Sequence, residues 1–514
     1  MVIVSYVFYF CLFGISRLWF FADFPIPQIS ADSANYVSIA GHISTGQWPL
    51  FAIRPPGFPL LIALTYAVSN KLFSLVVVQN LLTLLAGLSM LTAVQRLSPY
   101  FALPTAFALS GWACGNSSLE YDTSLLAESL LASCYVFAFS FLLWGIATRH
   151  YWPLLLASFF MAWAIMTKPA ALFLLVIYLL IVAFLFHNRF AVAALAAFAL
   201  PLPCLLLLLS AYNYAKIGSF TINAYGENEL SFATLTFWEQ DPSYPQAVND
   251  AIVRTVAKLN LSEAERHILH SSWQVAELAP IFLKGFNHAA LAEATALGSN
   301  SDYFSTRAWL RKISFDAIKK HPSQYYKFVR TFLLRYYLSI KEVGFLPESI
   351  KISSIPEIYL QRTYSAAKGR QIMTMMAKEY ADANPPAAVK ITNTGISTHV
   401  ELSRTPTLVI YIYLHKIITK LFAQTLWSYA YFAMLVITTI RLWQTKAHHA
   451  GTFIVFIFTL AVLGASLVVS LVEYSQKRYS YPMEWVYYLC ITLSPILWAP
   501  NVNSQPTFRQ SSQC

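Results

Sequence analysis

The first residues that could do chemistry lie in a polar stretch near the start of the chain, "ADSANYVSIAGHISTGQWPLFAIRPPGFPLLIAL" (31–64). Asp32 opens "ADSANY", which is typical of a helix start, so its carboxylate has two interpretations. One is a helix N-cap, because Asp is a preferred capping residue. The other is a general base on an acceptor hydroxyl, or a metal ligand, beside an arriving lipid head group. Tyr36 follows one turn later on the same helix face and could contact the same substrate.

Arg54 lies at the end of this stretch, in "RPPGFP". The prolines fix the backbone, and the glycine allows a tight reversal of the chain. A guanidinium held there suits a phosphate group. Anchoring to lipid head groups explains the same arginine equally well.

A second acidic group lies in "LEYDTSLLAESLL" (119–131). Glu120 and Asp122 are expected in a turn, whereas Glu128 falls inside the following apolar helix. An ionisable side chain there is costly, so Glu128 is a functional candidate, and the alternative is a carboxyl paired with a neighbouring helix. Asp32 and Glu128 are also the carboxylates that a divalent cation could use, although the sequence requires no cofactor.

Three further segments contribute weaker candidates for substrate binding. Lys168, in "MTKPAAL", lies between two apolar runs, and snorkelling to the membrane surface explains it well. Tyr225 belongs to a turn-rich segment (213–230) that could hydrogen-bond a sugar or could be a plain connection. The segment "EYSQKRYSYP" suits a phosphate through charge-assisted hydrogen bonds, or an aromatic and basic belt at the end of a span. Its candidate residues are Lys477, Arg478 and Tyr479.

These candidates stand in a chain made mainly of apolar sequence. Of 514 residues 57% are hydrophobic and 11% charged, and the mean hydropathy is +0.53. Ordinary soluble proteins carry about 25% charged residues, so the composition predicts a polytopic membrane protein. The net charge of +11 comes without a dense Lys/Arg block, which argues against a nucleic-acid partner and favours contact with anionic membrane lipid. The six cysteines form no CxxC pair, so neither a disulfide framework nor a structural zinc site is expected.

The fold class predicted from this pattern is an all-α polytopic membrane protein with about ten transmembrane helices. It also has outer-face interfacial helices and one large extracytoplasmic insertion. Helices are expected because backbone inside lipid must satisfy its own hydrogen bonds. The predicted spans lie near 2–21, 72–95, 101–116, 122–146, 153–167, 170–187, 190–212, 425–443, 452–472 and 482–499.

Four parts follow from these spans and from the positive-inside rule. An N-terminal transmembrane module (1–212) carries the catalytic first outer loop (22–64), and a mainly helical extracytoplasmic insertion (213–424) follows it. C-terminal transmembrane helices (425–500) and a cytoplasmic tail (501–514) complete the chain. The segment 405–424 is expected to be an interfacial helix; if it crossed the membrane, the sidedness of the last third would reverse.

The order of the motifs resembles that of the GT-C integral-membrane glycosyltransferases, which are related to the protein O-mannosyltransferases and the aminoarabinose lipid A transferases. Asp32 and Tyr36, followed by Gly46 and Trp48 and then by "RPPGFPLLIAL", resemble the first outer loop of that class. "LLAESLL", "HPSQYY" and "EYSQKRYSYP" resemble its later motifs in the same order.

The resemblance implies transfer of a hexosyl or pentosyl group from a polyprenyl-phosphate donor to an envelope glycan, lipid or protein acceptor. It implies a bacterial inner or plasma membrane, with the active site on the periplasmic or extracellular side. Carried over by position, Asp32 is the general base, Glu128 a second acidic site residue and Arg478 a ligand of the donor phosphate. The O-mannosyltransferases show Asp-Glu in this loop, whereas this chain has Asp32 and Ser33, which counts against their type of protein acceptor.

Two other functions stay open at this point. A transporter or flippase of lipid-linked glycans would need charges near mid-membrane and interrupted helices. The apolar runs here are clean, which favours the enzyme. A catalytically inactive scaffold of the same fold is a third possibility.

Overall fold

The computed structural model describes residues 2–23, 27, 32–47, 54–69, 71–148, 150–172, 196–197, 200–217, 220–222, 226–284, 303–338, 350–352, 389–393, 398–402, 406–421, 424–444, 450–472 and 477–494. The chain divides into two compact units. The first comprises Met1–Ile222, Lys341–Val462 and Tyr481–Cys514, and the second comprises Asn223–Ile340 and Leu463–Ser480.

Helices dominate the described residues, which confirms the predicted helical class. The helices before residue 223 are α1 (Val2–Asp23), α2 (Ser33–Ser44), α3 (Gly57–Ser69), α4 (Phe73–Leu97), α5 (Ala102–Ala113), α6 (Asn116–Asp122), α7 (Ala127–Thr148), α8 (Tyr151–Thr167) and α9 (Pro201–Ile217). Those that follow are α10 (Gly226–Thr234), α11 (Gln246–Lys258), α12 (Glu263–Ser271), α13 (Val275–Lys284), α14 (Tyr303–Lys320), α15 (Pro322–Leu338), α16 (Pro406–Leu421), α17 (Gln424–Gln444), α18 (Ala450–Val472) and α19 (Lys477–Thr492).

A small antiparallel sheet adds to the helical architecture. Its strands β1 (Ile350–Ile352), β2 (Val389–Asn393) and β3 (Thr398–Leu402) pair in the order β1-β3-β2. The register places Ile350 and Ile391 on either side of Val400. The segments "VKITN" and "THVEL" are rich in β-branched residues, which favour strands. A search for apolar runs misses this signal because the strands are short and polar at every second position.

Within the described ranges two helices, α4 and α7, are long and apolar enough to cross a membrane, judged by length and composition. Among the described residues, shorter apolar helices lie at Val2–Leu18, Gly57–Ser69, Tyr151–Thr167 and Val455–Leu471. The count of about ten spans therefore stays a prediction, and most of the segments 170–187 and 190–212 falls outside the described residues. The start of the predicted span 122–146 is wrong, because α6 ends at Asp122 and the next helix, α7, starts at Ala127.

The surface of α17 carries an apolar stripe that suits lipid. Its exposed members recur every three or four residues and are Tyr429, Phe432, Val436, Ile440 and Trp443. This spacing places them on one face of the helix. Contiguous exposed apolar surface of this kind marks a membrane or protein contact. The helix α16 covers most of the segment 405–424, as predicted, whereas its depth in a membrane stays a prediction.

The interior of the first unit contains a fully buried ion pair that the sequence did not reveal. Arg17, in α1, donates from Nη2 to Asp122 Oδ2 across 2.7 Å, and their side chains are 3% and 0% exposed. Asp122 was expected in an exposed turn, but the structure places it at the buried end of α6. Leaving either charge without its partner would be very costly in this environment.

Residues on four helices surround this pair with hydrogen bonds. We call the pair together with these residues the Arg17–Asp122 network. Asp122 Oδ1 accepts from the hydroxyls of Thr83 (2.9 Å) in α4 and Ser129 (2.6 Å) in α7. Arg17 Nε donates to Asn80 Oδ1 at 2.7 Å. The remaining partners are Ser118, which donates to Asp122 Oδ2, and Ser16, which accepts from Arg17. Both carboxylate oxygens are thus satisfied, so the network fixes α1, α4, α6 and the start of α7 against each other.

The second unit is a set of helices around two apolar clusters. One cluster joins α11 and α14 around Val248, Ile252 and Leu310. The other joins α13 and α15 around Phe282, Phe328 and Phe332. On α12 a capping box at Ser262 holds Glu265, and the hydrogen bond from Lys284, followed by those from Ser262, lowers the pKa of Glu265 to about 2.

We expect Arg17→Met to lower the free energy of unfolding by about 3–5 kcal/mol, because it leaves Asp122 as an uncompensated buried charge. The loss would appear as a lower Tm in thermal unfolding of the detergent-solubilised protein. The double variant R17M/D122N removes both charges, so its loss should be smaller than the sum of the single losses.

A matched control is Lys319→Met. Lys319 Nζ lies 3.8 Å from Asp316, and the lysine side chain is 77% exposed. Such surface pairs contribute about 0–1 kcal/mol. Equal losses from Arg17→Met and Lys319→Met would show that the network does not hold the helices together.

Candidate functional site

Asp32 is held by an arginine and does not cap its helix. It occupies the residue before α2, but its side chain makes no capping hydrogen bond. Instead Arg54 Nη2 donates to Asp32 Oδ1 across 2.7 Å. The side chains of Arg54 and Asp32 are 28% and 20% exposed, so solvent or a ligand can reach both. The side chain of Asp32 therefore does not cap α2, and the capping interpretation is wrong.

The chain reverses between Asp32 and Arg54 through the end of α2. Gly46 has a φ of +73°, a left-handed conformation that glycine adopts without a steric penalty. Its N–H bonds to the carbonyl of Ile43 (3.0 Å), and the N–H of Gln47 bonds to that of His42 (2.9 Å). This is a Schellman motif, which satisfies the last carbonyls of the helix. The helix α3 packs along α2, and Arg54 lies shortly before α3.

Tyr36 completes this first group of residues. Its ring is 3% exposed and meets the Phe58 ring edge to face, with 5.0 Å between centroids. The Arg54 guanidinium carbon lies 5.3 Å from the centroid of Tyr36. Arg54 therefore contacts both Asp32 and Tyr36, which lie one turn apart on α2.

Glu128 forms the second ion pair. Lys168 Nζ donates to Glu128 Oε1 across 2.8 Å, and the Glu128 side chain is only 2% exposed. Its other oxygen, Oε2, is buried and has no hydrogen-bond partner among the described residues. A buried carboxylate oxygen without a partner is costly, so Oε2 differs from Oε1, whose charge Lys168 compensates.

Lys168 reaches Glu128 because the next residue is proline. Pro169 disfavours helical geometry in the residue before it, and Lys168 accordingly has φ −143° and ψ 115°. Its N–H still closes the last turn of α8 on the carbonyl of Ala164 (2.8 Å). The charge of the Lys168 ammonium is thus neutralised by the carboxylate of Glu128. Snorkelling would instead have placed this ammonium among lipid head groups. Glu128 gains further from its place in the first turn of α7, where a negative charge is favoured.

Two contacts bring the ion pairs into one region, which we call the paired-carboxylate site (Asp32, Arg54, Glu128 and Lys168). The hydroxyl of Ser33, next to Asp32, donates to the carbonyl of Leu125 across 2.9 Å. Leu125 precedes Glu128 by three residues, a path of at most about 11 Å.

The second contact lies on the other side of the site, where α3 meets the end of α8. A Cβ on Gly57 would lie 2.6 Å from Thr167 Oγ1 and 2.8 Å from the backbone of Met166. The indole N–H of Trp163 also donates to the carbonyl of Gly57 (3.2 Å). Gly57 was expected to make a reversal, but it lies in the first turn of α3 and permits a close helix approach. Arg54 and Lys168 flank this contact in sequence.

The other predicted site residues fall on parts of the chain whose side chains are not described. Tyr225 lies outside the described residues. The backbone of Lys477, Arg478 and Tyr479 forms the first turn of α19, and their side chains lie outside the description. Their approach to Asp32 and Glu128 stays a prediction.

A metal ion finds no obvious set of ligands in the described ranges. No three Asp, Glu, His or Cys side chains come together there in a way that could hold one. Asp32 and Glu128, the carboxylates suggested as ligands, each face a protein cation that already neutralises the carboxylate. Binding of a divalent cation by Asp32 and Glu128 stays a prediction.

The pairings themselves were missed from the sequence. A usable signal existed for one of them, since Arg17 stands in an otherwise apolar run and Asp122 lies just before another. Ionisable residues in apolar segments need a partner, and charges of opposite sign in two such segments could have been matched.

No family model and no curated protein matches this sequence. Among solved structures, the chain is similar to the archaeal oligosaccharyltransferase AglB from Archaeoglobus fulgidus, in complex with an inhibitory peptide and a dolichol-phosphate. The identity is 12%, the TM-score 0.38, and the match covers 95% of this chain and 50% of that one. A second match is ArnT from Cupriavidus metallidurans bound to undecaprenyl phosphate, with 14% identity, a TM-score of 0.31 and coverage of 97% and 76%.

This chain spans about half the length of the archaeal oligosaccharyltransferases that it matches. Both TM-scores lie below 0.5, so the functional argument rests on the residues of the paired-carboxylate site.

We expect Gly57→Ala to separate α3 from the end of α8, because the added Cβ meets backbone atoms that cannot rotate away. Overpacking of this kind typically costs about 1–3 kcal/mol, and the Tm should fall accordingly. Gly41→Ala is the control, since a Cβ there meets nothing within 4 Å. In the interior of α2 that change should be neutral or stabilising by about 0.5–1 kcal/mol. A Tm that falls equally in both variants would refute the close contact.

Proposed function

We propose that this chain is a membrane-embedded glycosyltransferase and that the paired-carboxylate site is its catalytic site. One observation carries the proposal: two carboxylates are each held by their own cation, and the segments that carry them are linked by the contact of Ser33 with Leu125 and by that of Gly57 with the end of α8. Asp32 is reachable from solvent, and Glu128 keeps one buried oxygen that has no partner in the part of the chain that the structure describes. A purely structural pair would be expected to satisfy all its polar atoms.

The proposed donor is a sugar linked to a polyprenyl phosphate, as the resemblance of the sequence motifs implies. The oxygen of an acceptor hydroxyl attacks the anomeric carbon, and its proton passes to the carboxylate of Asp32. The bond between that carbon and the phosphate oxygen breaks, and the lipid phosphate leaves with the electron pair. Arg54 keeps the carboxylate of Asp32 in place and supplies positive charge near the departing phosphate.

Glu128 and Lys168 are assigned to holding the sugar. After a local opening of the site, Oε2 of Glu128, which has no partner among the described residues, accepts a hydrogen bond from a sugar hydroxyl, while Lys168 keeps the carboxylate in its position. Orientation of this kind lowers the barrier because it removes rotational freedom before the reaction. Lys477, Arg478 and Tyr479 are proposed to bind the donor phosphate, and Tyr225 the sugar or acceptor.

The finer details belong to the same proposal. We infer a hexosyl- or pentosyltransferase acting on an envelope glycan, a lipid or a protein at the outer face of a bacterial inner membrane. The lipid-suited stripe on α17 and the two apolar helices α4 and α7 support a membrane location.

Asp32→Asn is expected to reduce transfer at least about 100-fold, because the amide cannot accept the proton. The assay uses purified protein in proteoliposomes with a panel of undecaprenyl-phosphate-linked hexoses and pentoses, and it measures the release of undecaprenyl phosphate. Asp250→Asn, on the second unit, is the matched control and should leave the rate unchanged. Full activity in the Asp32→Asn protein would show that Asp32 is not the general base. Passage of the donor across the vesicle bilayer without its cleavage would favour a flippase.

Glu128 and Lys168 allow stability and function to be separated. Lys168→Met leaves a buried charge unpaired and should destabilise the protein by about 3–5 kcal/mol. The double variant E128Q/K168M removes both charges, so the Tm should recover while transfer stays low. A double variant that regains both its Tm and its activity would show that Glu128 has only a structural role.

A further inference from the structure

The second unit carries an exposed aromatic and cationic patch that the catalytic proposal does not use. It consists of Trp273, between α12 and α13, together with Tyr326, Lys327 and Arg330 on α15. Trp273 and Tyr326 are 46% and 57% exposed. Their ring centroids lie 5.7 Å apart at an angle of 58°, so the two rings form an open corner.

Two cations stand beside this corner. Lys327 Nζ lies 5.2 Å and the Arg330 guanidinium carbon 5.9 Å from the centroid of Trp273. Arg330 also donates to the carbonyl of Trp273, which ties the cation to the loop that carries the ring. Lys327 donates to the carbonyls of Leu269 and His270.

The charge of this patch is not cancelled by an ion pair within the described residues. No carboxylate there lies within 4.0 Å of Lys327 or Arg330, although Glu277 borders the patch through its hydrogen bond with Ser272. Lys327 is 3% exposed, and burial lowers the pKa of its ammonium, so it serves mainly to hold the loop. Arg330 is half-buried and uses one N–H group on the Trp273 carbonyl, which leaves a guanidinium suited to an anionic ligand.

The surroundings of the rings are polar. Ser271, Gln274 and Ser323 are all exposed beside them in sequence. A surface that inserts into lipid tails needs contiguous apolar side chains, whereas here isolated aromatic faces stand among hydroxyl and amide groups. A sugar ring has one face of C–H groups that covers an aromatic ring and hydroxyls at its edge that hydrogen-bond to such neighbours.

We propose that the Trp273–Tyr326–Arg330 patch binds a negatively charged sugar of an acceptor glycan. The sugar ring covers the exposed aromatic face, and Arg330 binds its carboxylate or phosphate. The assignment to an acceptor rests on the proposed transferase function, whereas the binding of an anionic glycan does not. The site lies in the second unit, within the part of the chain predicted to be extracytoplasmic.

The test measures binding by microscale thermophoresis on the full-length protein in detergent, with no donor present. The probes are hexagalacturonate and a phosphorylated mannan oligosaccharide, with neutral cellohexaose for comparison. We expect at least one anionic probe to bind about tenfold more tightly than cellohexaose, with an affinity that falls as salt rises. Trp273→Ala should weaken its binding about tenfold, and Arg330→Gln should remove the preference for the anionic probe.

Matched controls come from the same unit. Phe315→Ala removes an aromatic ring that is 50% exposed, and Arg254→Gln removes an exposed arginine, so neither should change binding. Asp32→Asn should bind the probe normally, which separates this proposal from the catalytic one. Failure of both anionic probes to exceed cellohexaose, or equal losses in the control variants, would overturn the proposal. Binding to phosphatidylglycerol vesicles that depends on Trp273, with no binding of the oligosaccharides, would assign the patch to the membrane instead.

Discussion

The buried ion pair between Arg17 and Asp122 is the constraint on which the rest of the first unit depends. Two charges with side chains 3% and 0% exposed have lost nearly all their hydration, and only complete internal hydrogen bonding makes that tolerable. Completing it requires α1, α4, α6 and α7 at one place, because each helix supplies at least one polar partner. Helix packing alone would allow neighbouring arrangements, whereas a network with fixed donors and acceptors selects one.

The same network positions the candidate catalytic residues. Ser129 donates to Asp122, and the preceding residue in the helix is Glu128. Adjacent residues on a helix point about 100° apart, so one faces the network while the other meets Lys168 at a different side of α7. Leu125, shortly before them, accepts the hydrogen bond of Ser33 and so locates Asp32. The start of α7 thus connects the buried charge pair to both carboxylates of the site.

Local sequence predicted the helices well and the pairings poorly, for a physical reason. Apolar runs report which segments form helices, and the spacing of Asp32 and Tyr36 places them on one helix face. The ion pairs join residues 22, 40 and 105 positions apart, so no local pattern says which cation a carboxylate meets. "RPPGFP" shows the same limit. Proline and glycine suggested a reversal, but Gly57 is needed for its missing side chain at a helix contact that only the tertiary fold creates.

The ion pairs also bear on how the proposed reaction would begin. In the structure Arg54 donates a hydrogen bond to Asp32, so the carboxylate occupies the guanidinium. Under the proposed function, the donor phosphate brings a charge that competes with Asp32 for the same guanidinium. As Arg54 turns toward the phosphate, the carboxylate of Asp32 is released at the moment when the acceptor must lose its proton. The pairing of Asp32 with Arg54 would then couple binding of the donor to activation of the acceptor, and a carboxylate that Arg54 holds until the donor binds would limit unproductive attack by water.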